Sequence, residues 1–491
     1  MGTIKKIALA GIAVVAIGAV IVGVRTANFT PDSVSDGRDI KLASTPATNI
    51  AASAARLGQA VRFRTVSNQN KADNQLEEWT KFQQWLITSY PAVHRSMQRE
   101  VIAGGTLIYT WPGSDAAAKP IILMAHQDVV PVTPGTEKDW KYPPFDGVIA
   151  EDAVWGRGTV DDKGSLIALF EAMEGLVNSG FTPRRTIYLV SGHDEEVFGG
   201  GAEAAAKLFA DRKIRALFTL DEGSAIILDA PVVNGPAILI GVAEKGYATL
   251  QVTANAKGGH SSMPPKDTGV VNLARAVLAI HEKPFPVELR GPAADMLAVL
   301  GGDAGGLTKV AVANQWLFGS LLREQVATTP SGAAAFHTTI APTMLTGSPK
   351  ENVLPQTANA LINYRIAPWN RSADIMQRAK EATRGMPVSL TWVNPPREPS
   401  KVSSTSSEGW KLIAAAARPH APTAPISPYL VVGGTDSRNF EGISDDVYRF
   451  MPVHFTIQSA TMIHGTNEHM SLANLKRMID FYATLMATST G

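Results

Sequence analysis

Residues 155–166 read WGRGTVDDKGSL, a glycine-rich turn that ends in two aspartates and a lysine and runs straight into an amphipathic pattern. Leu166, Leu169, Phe170, Met173, Leu176 and Val177 recur on one helical face, and Gly180 stands where such a helix would end. Asp161 and Asp162 therefore open a helix, a place where acidic residues are common because they complement the helix dipole. The glycines at 156, 158 and 164 crowd backbone into a tight turn, which suits a carboxylate presented at a fixed angle to two cations. What surrounds the turn in space decides between a plain helix start and a metal bridge.

Three apolar runs flank this turn along the chain, Ile121 to Ala125, Thr186 to Val190 and Ala216 to Leu220, and each reads as a buried strand. Strands alternating with helices predict an α/β domain with a mostly parallel sheet flanked by helices. Behind the strands come His126-Gln127-Asp128, then His193-Asp194-Glu195-Glu196, then Asp221-Glu222-Gly223. Open α/β sheets bind ligands beyond the carboxyl ends of their strands, so three strand ends should converge on one crevice rich in His and carboxylate. In an extended segment residues i and i+2 share a side, which lets Asp128 orient the His126 imidazole. Glu195 and Glu196 repel each other when partly buried, and a dication relieves that repulsion, leaving one to ligate and the other to accept a proton. His464, in HGTNEHM, sits just ahead of a last helix marked by Leu472, Leu475, Met478, Ile479, Tyr482 and Leu485, with Ser471 as its N-cap, and is expected to return to the same crevice.

Composition narrows the chemistry. Lys+Arg 45 against Asp+Glu 44 in 491 residues leaves a net charge of +1, so no global field attracts nucleic acid, and none is expected as a partner. The chain has no cysteine, which excludes disulfides, thiol nucleophiles and sulfur-ligated zinc. Lys5 and Lys6 precede an uncharged run from Ile7 to Val24 that Arg25 closes. Residues 1–25 accordingly read as a membrane anchor or a cleaved signal, with the body on the extracytoplasmic side and membrane contact through this segment alone. Residues 26–45 read as a linker.

After Gly246 the texture changes. YATLQVTANA alternates like a strand, GGHSSMPP is a turn, a helix is expected over Gly269 to His281, and a second alternating run spans Ala358 to Ile366 ahead of a helix near 372–384. These predict an α+β insertion, with 285–335 as a helical elaboration rich in Gly, Ala and Leu. The expected division is a catalytic domain over 46–246, completed by 398–491, and an inserted lid over 247–397.

The set MAHQDVVP, WKYPPFDG, WGRGTVDDKG, GHDEE, LDEG, GGHSSMP and HGTNEH, in that order, resembles the di-zinc metallopeptidases that include aminoacylase, carboxypeptidase G, succinyl-diaminopimelate desuccinylase and carboxypeptidase S. The resemblance covers about 50–488. It implies that Asp161 bridges two zinc ions, that His126 and Glu222 hold one and Glu196 and His464 the other, and that Glu195 is the general base with Asp128 orienting His126. It further implies a cis peptide between Asp161 and Asp162. His260 resembles the histidine that polarises the scissile carbonyl, often in the site of a neighbouring subunit, which would require a homodimer through the lid. Arg365, Asn352 and the loop Gly433-Gly434-Thr435-Asp436 resemble the groups that hold a substrate carboxylate. The implied reaction is zinc-dependent amide hydrolysis: a water between two cations loses its proton to Glu195 and attacks the amide carbon, with manganese or cobalt as possible substitutes for zinc. LDEG, GGTDSR and the N-terminal segment look most similar to carboxypeptidase S and to secreted N-fatty-acyl-amino-acid synthase/hydrolases. The expected substrate is an N-acyl amino acid, with the apolar bulk of 285–335 as room for an acyl chain, or the C-terminal residue of a short peptide, with condensation as a possible reverse reaction. Two alternatives stand beside it, a metallo-dipeptidase without lipid preference and a non-catalytic binding member of the fold.

Overall fold

The computed structural model describes residues 2–31 and 34–490, and for residues 2–8, 10–12 and 331 the backbone alone. The expected strands form as Ile121–Met124, Ile187–Ser191 and Ala216–Asp221. Together with Ser444–Arg449 they make the parallel centre of a mixed ten-stranded sheet. Antiparallel strands extend this centre, Thr106–Trp111 and Gln98–Ile102 on one side, Gly235–Glu244 and Ile226–Ala230 on the other. Ile121–Met124 is apolar at every position because helices cover both faces of the sheet. Ile121 and Leu123 join the large core built on the helices Ile50–Val61, Lys163–Asn178 and Leu472–Thr490, whereas Ile122 and Met124 join Ala202, Ala205 and Phe209 of the helix Gly201–Asp211. The fold is mixed α/β, as the strand and helix pattern required.

A second core belongs to a four-stranded antiparallel sheet in the order Thr339–Thr346, Thr357–Ile366, Gly246–Asn255, Val388–Trp392, covered by the helices Gly269–His281 and Ser372–Ala382. Alternate residues of Gly246–Asn255 are buried, the period-two signature seen in the sequence. The chain enters this sheet at Tyr247 and leaves it at Arg397, and these two residues bond backbone to backbone, N to O at 2.8 Å and 2.9 Å. The helical stretch expected over 285–335 forms four helices from Gly291 to Ala335. Its first, Gly291–Ala304, packs on the strand Ile426–Val431 of the large sheet, with Leu300 beside Ala230, Ala237 and Leu239.

The N-terminal region departs from the expected tether. Residues 34–48 lie along the large domain: Ser35 O accepts from Trp410 Nε1 at 2.6 Å, Ala43 N donates to Thr488 Oγ1 at 3.1 Å, and Thr48 Oγ1 donates to Asp480 at 2.8 Å. At Gly37, φ is 70° and a Cβ would fall 2.5 Å from Ala415 N, so the close approach needs glycine. The run Ile7 to Val24 falls in the helix Gly2–Ala27, where Leu9, Val14, Val15, Ile17 and Val20 are exposed. The side chains of 7, 8 and 10–12 lie outside the described residues, and among those described no helix is long and apolar enough to cross a membrane.

Candidate active site

Three strands of the parallel centre, Ile121–Met124, Ile187–Ser191 and Ala216–Asp221, are followed by polar groups that meet in one crevice. His126 follows Met124 by two residues, and its Nε2 lies 2.9 Å from Asp161 Oδ1. The other carboxylate oxygen of Asp161, Oδ2, lies 3.0 Å from His464 Nε2, and that same nitrogen is 3.1 Å from Glu196 Oε2. One aspartate thus meets two histidines that stand 338 positions apart, one through each oxygen. His126, Asp161 and Glu196 each offer a ligand atom, all within 4.8 Å of one another. Glu196 Oε1 is buried with no hydrogen-bond partner among the described residues, a costly orphan that a cation would satisfy. A donor set of imidazole nitrogen and carboxylate oxygen fits a divalent metal of the zinc type.

Burial and neighbouring charges pull the carboxyl groups of the crevice in opposite directions. Burial pushes Glu195 well above the ordinary carboxyl range, and the neighbouring Asp436, Glu196 and Asp161 push it further. Glu222 is raised in the same sense by burial and by Asp161, Asp221, Asp162 and Glu195, which places its carboxyl in the same acidic cluster. Asp161 goes the other way: burial opposes ionisation, but hydrogen bonds from His126 and His464 hold its carboxyl well below the usual range. Hydrogen bonds to Asp161 and Glu196 raise His464 to about 10. This many buried carboxylates demand positive charge close by.

The surrounding chain fixes these side chains. The peptide bond between Asp161 and Asp162 is cis. Asp162, read as a helix entry, makes no side-chain cap; its carboxylate instead accepts from His126 N at 3.2 Å. Asp128 differs in detail from the expected orienting role. His126 Nδ1 lies 2.9 Å from the Asp128 main-chain oxygen and 3.4 Å from its carboxylate, while that carboxylate accepts from Glu195 N at 3.2 Å and Glu196 N at 3.1 Å. Asp128 therefore ties the first strand end to the turn that carries the paired glutamates.

Two residues escaped sequence reading. Arg157, from WGRG, is buried and donates through Nη1 to Glu468 Oε2 at 2.6 Å, and through Nη2 to the oxygens of His464 at 3.1 Å and Gly465 at 3.0 Å. Glu468 Oε1 accepts from Val160 N at 2.8 Å and Asp161 N at 3.1 Å. This pair, with the antiparallel match of Ala153–Trp155 to His469–Ser471, fastens the His464 loop to the Asp161 turn. The available signal was opposite charge inside two motifs already singled out, an arginine among turn glycines and a glutamate within HGTNEHM.

The expected substrate groups divide into two sets. Gly434 and Thr435 line a cavity of about 340 Å³ next to Glu195. Arg365 is half-buried in the smaller domain with its guanidinium 4.8 Å from the Tyr247 ring centroid. His260 and Asn352 are exposed and adjacent, since His260 pairs with Val353 and Ser261 N donates to Asn352 O at 3.1 Å. His260 Nδ1 lies 2.8 Å from Ser262 Oγ, so its partner is on its own turn and not at the carboxylate cluster.

Comparison with known proteins gives the family. The profile of Peptidase family M20/M25/M40 matches residues 122–488. A probable carboxypeptidase S-like 2 of Dictyostelium discoideum is 34% identical over 439 residues, covering 88% of this chain and 84% of that protein. The human N-fatty-acyl-amino acid synthase/hydrolase PM20D1 is 32% identical over 434 residues, covering 87% and 86%. Among solved structures, an M20 family metallo-carboxypeptidase from Sulfolobus solfataricus superposes with a TM-score of 0.66 at 17% identity, covering 89% of this chain and 98% of that one, a likeness of fold. The chain belongs to Peptidase family M20/M25/M40 and is a peptidase or amidohydrolase.

Proposed function

We propose that this member of Peptidase family M20/M25/M40 hydrolyses the amide bond beside a free carboxylate, in an N-acyl amino acid or at the C-terminal residue of a short peptide, with two zinc ions as cofactor. The observation that carries this reading is the placement of Asp161, one carboxylate oxygen against His126 and the other against His464, with Glu195 at the edge of the adjoining cavity. His126 and Glu222 would hold one ion and Glu196 and His464 the other, with Asp161 shared; manganese or cobalt suits the same donors. When bound, the metals supply Lewis-acid polarisation of the carbonyl and a lower pKa for water. Glu195 takes the proton from the attacking water and returns it to the leaving nitrogen. Its burial among Asp436, Glu196 and Asp161 raises its proton affinity, which suits a carboxylate that accepts a proton from water and passes it on.

Relatives named N-fatty-acyl-amino acid synthase/hydrolase and carboxypeptidase S support an acyl amino acid or a peptide as substrate. His260 would polarise the carbonyl from a second subunit, since it is exposed on the smaller domain. The uncharged run Ile7 to Val24, between Lys6 and Arg25, supports an extracytoplasmic body that is anchored or secreted. The test is turnover of a panel of N-acyl amino acids and dipeptides after zinc loading, with Glu195→Gln as control. The variant should retain both metals and lose several orders of magnitude in kcat; unchanged turnover would remove Glu195 from the reaction. A wild-type preference for dipeptides over long-chain acyl amino acids would make the protein a metallo-dipeptidase.

A further inference from the structure

The helices between Gly291 and Ala335 turn large apolar side chains outward. In the helix Gln315–Val326, Gly319 and Leu322 are buried, and Leu322 joins Ala293, Leu297, Val312 and Phe336 in the small core of this region. The other side carries Trp316, Leu317 and Leu321, which are 59%, 52% and 58% exposed. Helical spacing puts these three on one stripe with Ser320 and Glu324. In the preceding helix, Gly306–Ala313, which packs beside this one, Leu307 is 87% exposed. None of the four serves the core of the folded chain, and apolar side chains grouped in this way mark a contact surface.

The N-terminal helix ends against these same helices. Asn314, the buried residue that opens Gln315–Val326, donates through Nδ2 to Thr26 Oγ1 at 3.0 Å, and Thr26 Oγ1 donates to Val22 O at 2.8 Å. Phe29, three residues further on, packs on the small core and lies against Gly302. Upstream of this joint, Val14, Val15, Ala16, Ile17, Ala19 and Val20 occupy positions all round the helix, and every one is exposed. A helix that is apolar on every side and covered on none calls for an apolar solvent, whereas one groove of a partner protein would cover a single stripe. Fixing its end at Asn314 sets the stripe of Trp316, Leu317 and Leu321 at the boundary of that solvent. Tryptophan is at home at the level of lipid headgroups, and a helix with one apolar face lies in that plane. Charge over 291–335 is nearly balanced, Lys309 and Arg323 against Asp295, Asp303 and Glu324, so the attraction is apolar and a neutral lipid suffices.

We propose that the face formed by Trp316, Leu317 and Leu321, with Leu307, rests on the lipid bilayer that receives the N-terminal helix, so that membrane contact extends from that helix to the folded body. This rests on the anchor reading above. The chain has no cysteine, so Leu317→Cys, Leu321→Cys, Leu345→Cys and Lys207→Cys each create a single site for an environment-sensitive fluorophore. Leu345 is an exposed apolar residue on the edge of the smaller sheet, and Lys207 is an exposed cation of the large domain. Each full-length variant is reconstituted with phosphatidylcholine vesicles, floated through a density gradient, and read with and without phosphatidylcholine carrying a nitroxide at a shallow acyl carbon. Labels at 317 and 321 should shift to the blue and lose most of their intensity to the nitroxide, while labels at 345 and 207 keep theirs. Unquenched labels at 317 and 321 on protein that floats with the vesicles would overturn the docking face and leave the anchor standing. A blue shift without quenching would give the face to a second copy of this chain, and equal quenching at all four positions would overturn its preference for this surface. Protein that stays at the bottom of the gradient would overturn the anchor reading and the docking face with it.

Discussion

Asp161 is the residue through which the candidate site is connected, because each of its oxygens faces a different histidine. On the two-metal proposal, Asp161→Ala should lose both ions, by metal analysis after dialysis, and a variant that keeps either at full affinity would refute the shared-ligand assignment. Glu468 matters for a different reason. Removing it leaves the Arg157 charge buried and unanswered, a change that costs about 3–5 kcal/mol, and frees the backbone of Val160 and Asp161. Glu468→Ala should lower the denaturation midpoint and weaken metal binding; wild-type values for both would show that the pair is dispensable. His420 gives a pH dependence away from the site. Burial lowers it to about 4 from an ordinary 6.5, with Asp480 opposing the shift and Arg477, His454 and Lys476 adding to it. The unfolded chain then binds more protons than the folded one between pH 4 and 6.5, so stability falls as pH drops through that window and is insensitive to this group above it. His420→Gln should flatten that acid limb in urea titrations, and an unchanged slope would assign the dependence to other groups.

At the scale of elements, the helix Lys163–Asn178 and the turn before it act as one unit. Gly164 is in the first turn of the helix, and a Cβ there would lie 2.2 Å from Thr159 O and 3.1 Å from Met470 Cε. Gly164→Ala should cost about 1–3 kcal/mol, as overpacking does, and should also displace Asp161 enough to weaken metal binding. Gly180, past the far end of the helix with φ 81°, meets nothing within 4 Å. Gly180→Ala should cost about 1–2 kcal/mol for its left-handed backbone and leave metal affinity alone. Equal effects of the two on metal binding, measured by competition with a chelating dye, would mean that the turn does not transmit its geometry to Asp161. These elements were readable because periodicity and glycine punctuation are local. The parallel order of the central strands followed from their alternation with helices, whereas the antiparallel extensions depend on non-local pairing that periodicity does not specify.

The whole molecule presents a feature that a single chain does not explain. Strand Thr339–Thr346 is the edge of the smaller sheet and is exposed over most of its length, with Met344 and Leu345 uncovered. Leu278 and Val270 of the adjoining helix face a groove of about 390 Å³ that Leu345 also lines. An uncovered apolar edge of this kind offers unpaired backbone and apolar side chains on which a second chain could pair. A homodimer through it would fit the exposure of His260, which the same domain carries and whose ring is bonded to Ser262 on its own turn. Leu278→Arg combined with Leu345→Asp should convert a dimer to a monomer by light scattering and reduce activity with it. A wild-type protein that is already monomeric and active would end the role of His260 across subunits. By itself, the sequence determined the mixed α/β class, the helix that opens just after the Asp161-Asp162 pair, the family, and the residue types able to hold a metal, because strand ends, helix periodicity and motifs are written in neighbouring residues. Only the tertiary structure decided that Asp128 binds the Glu195 turn, that Arg157 and Glu468 join loops 311 positions apart, that residues 34–48 pack on the large domain, and that Thr26 meets Asn314. Each of these is a contact between segments distant along the chain, whose partner is chosen by packing and by the need to satisfy buried charge rather than by any local pattern.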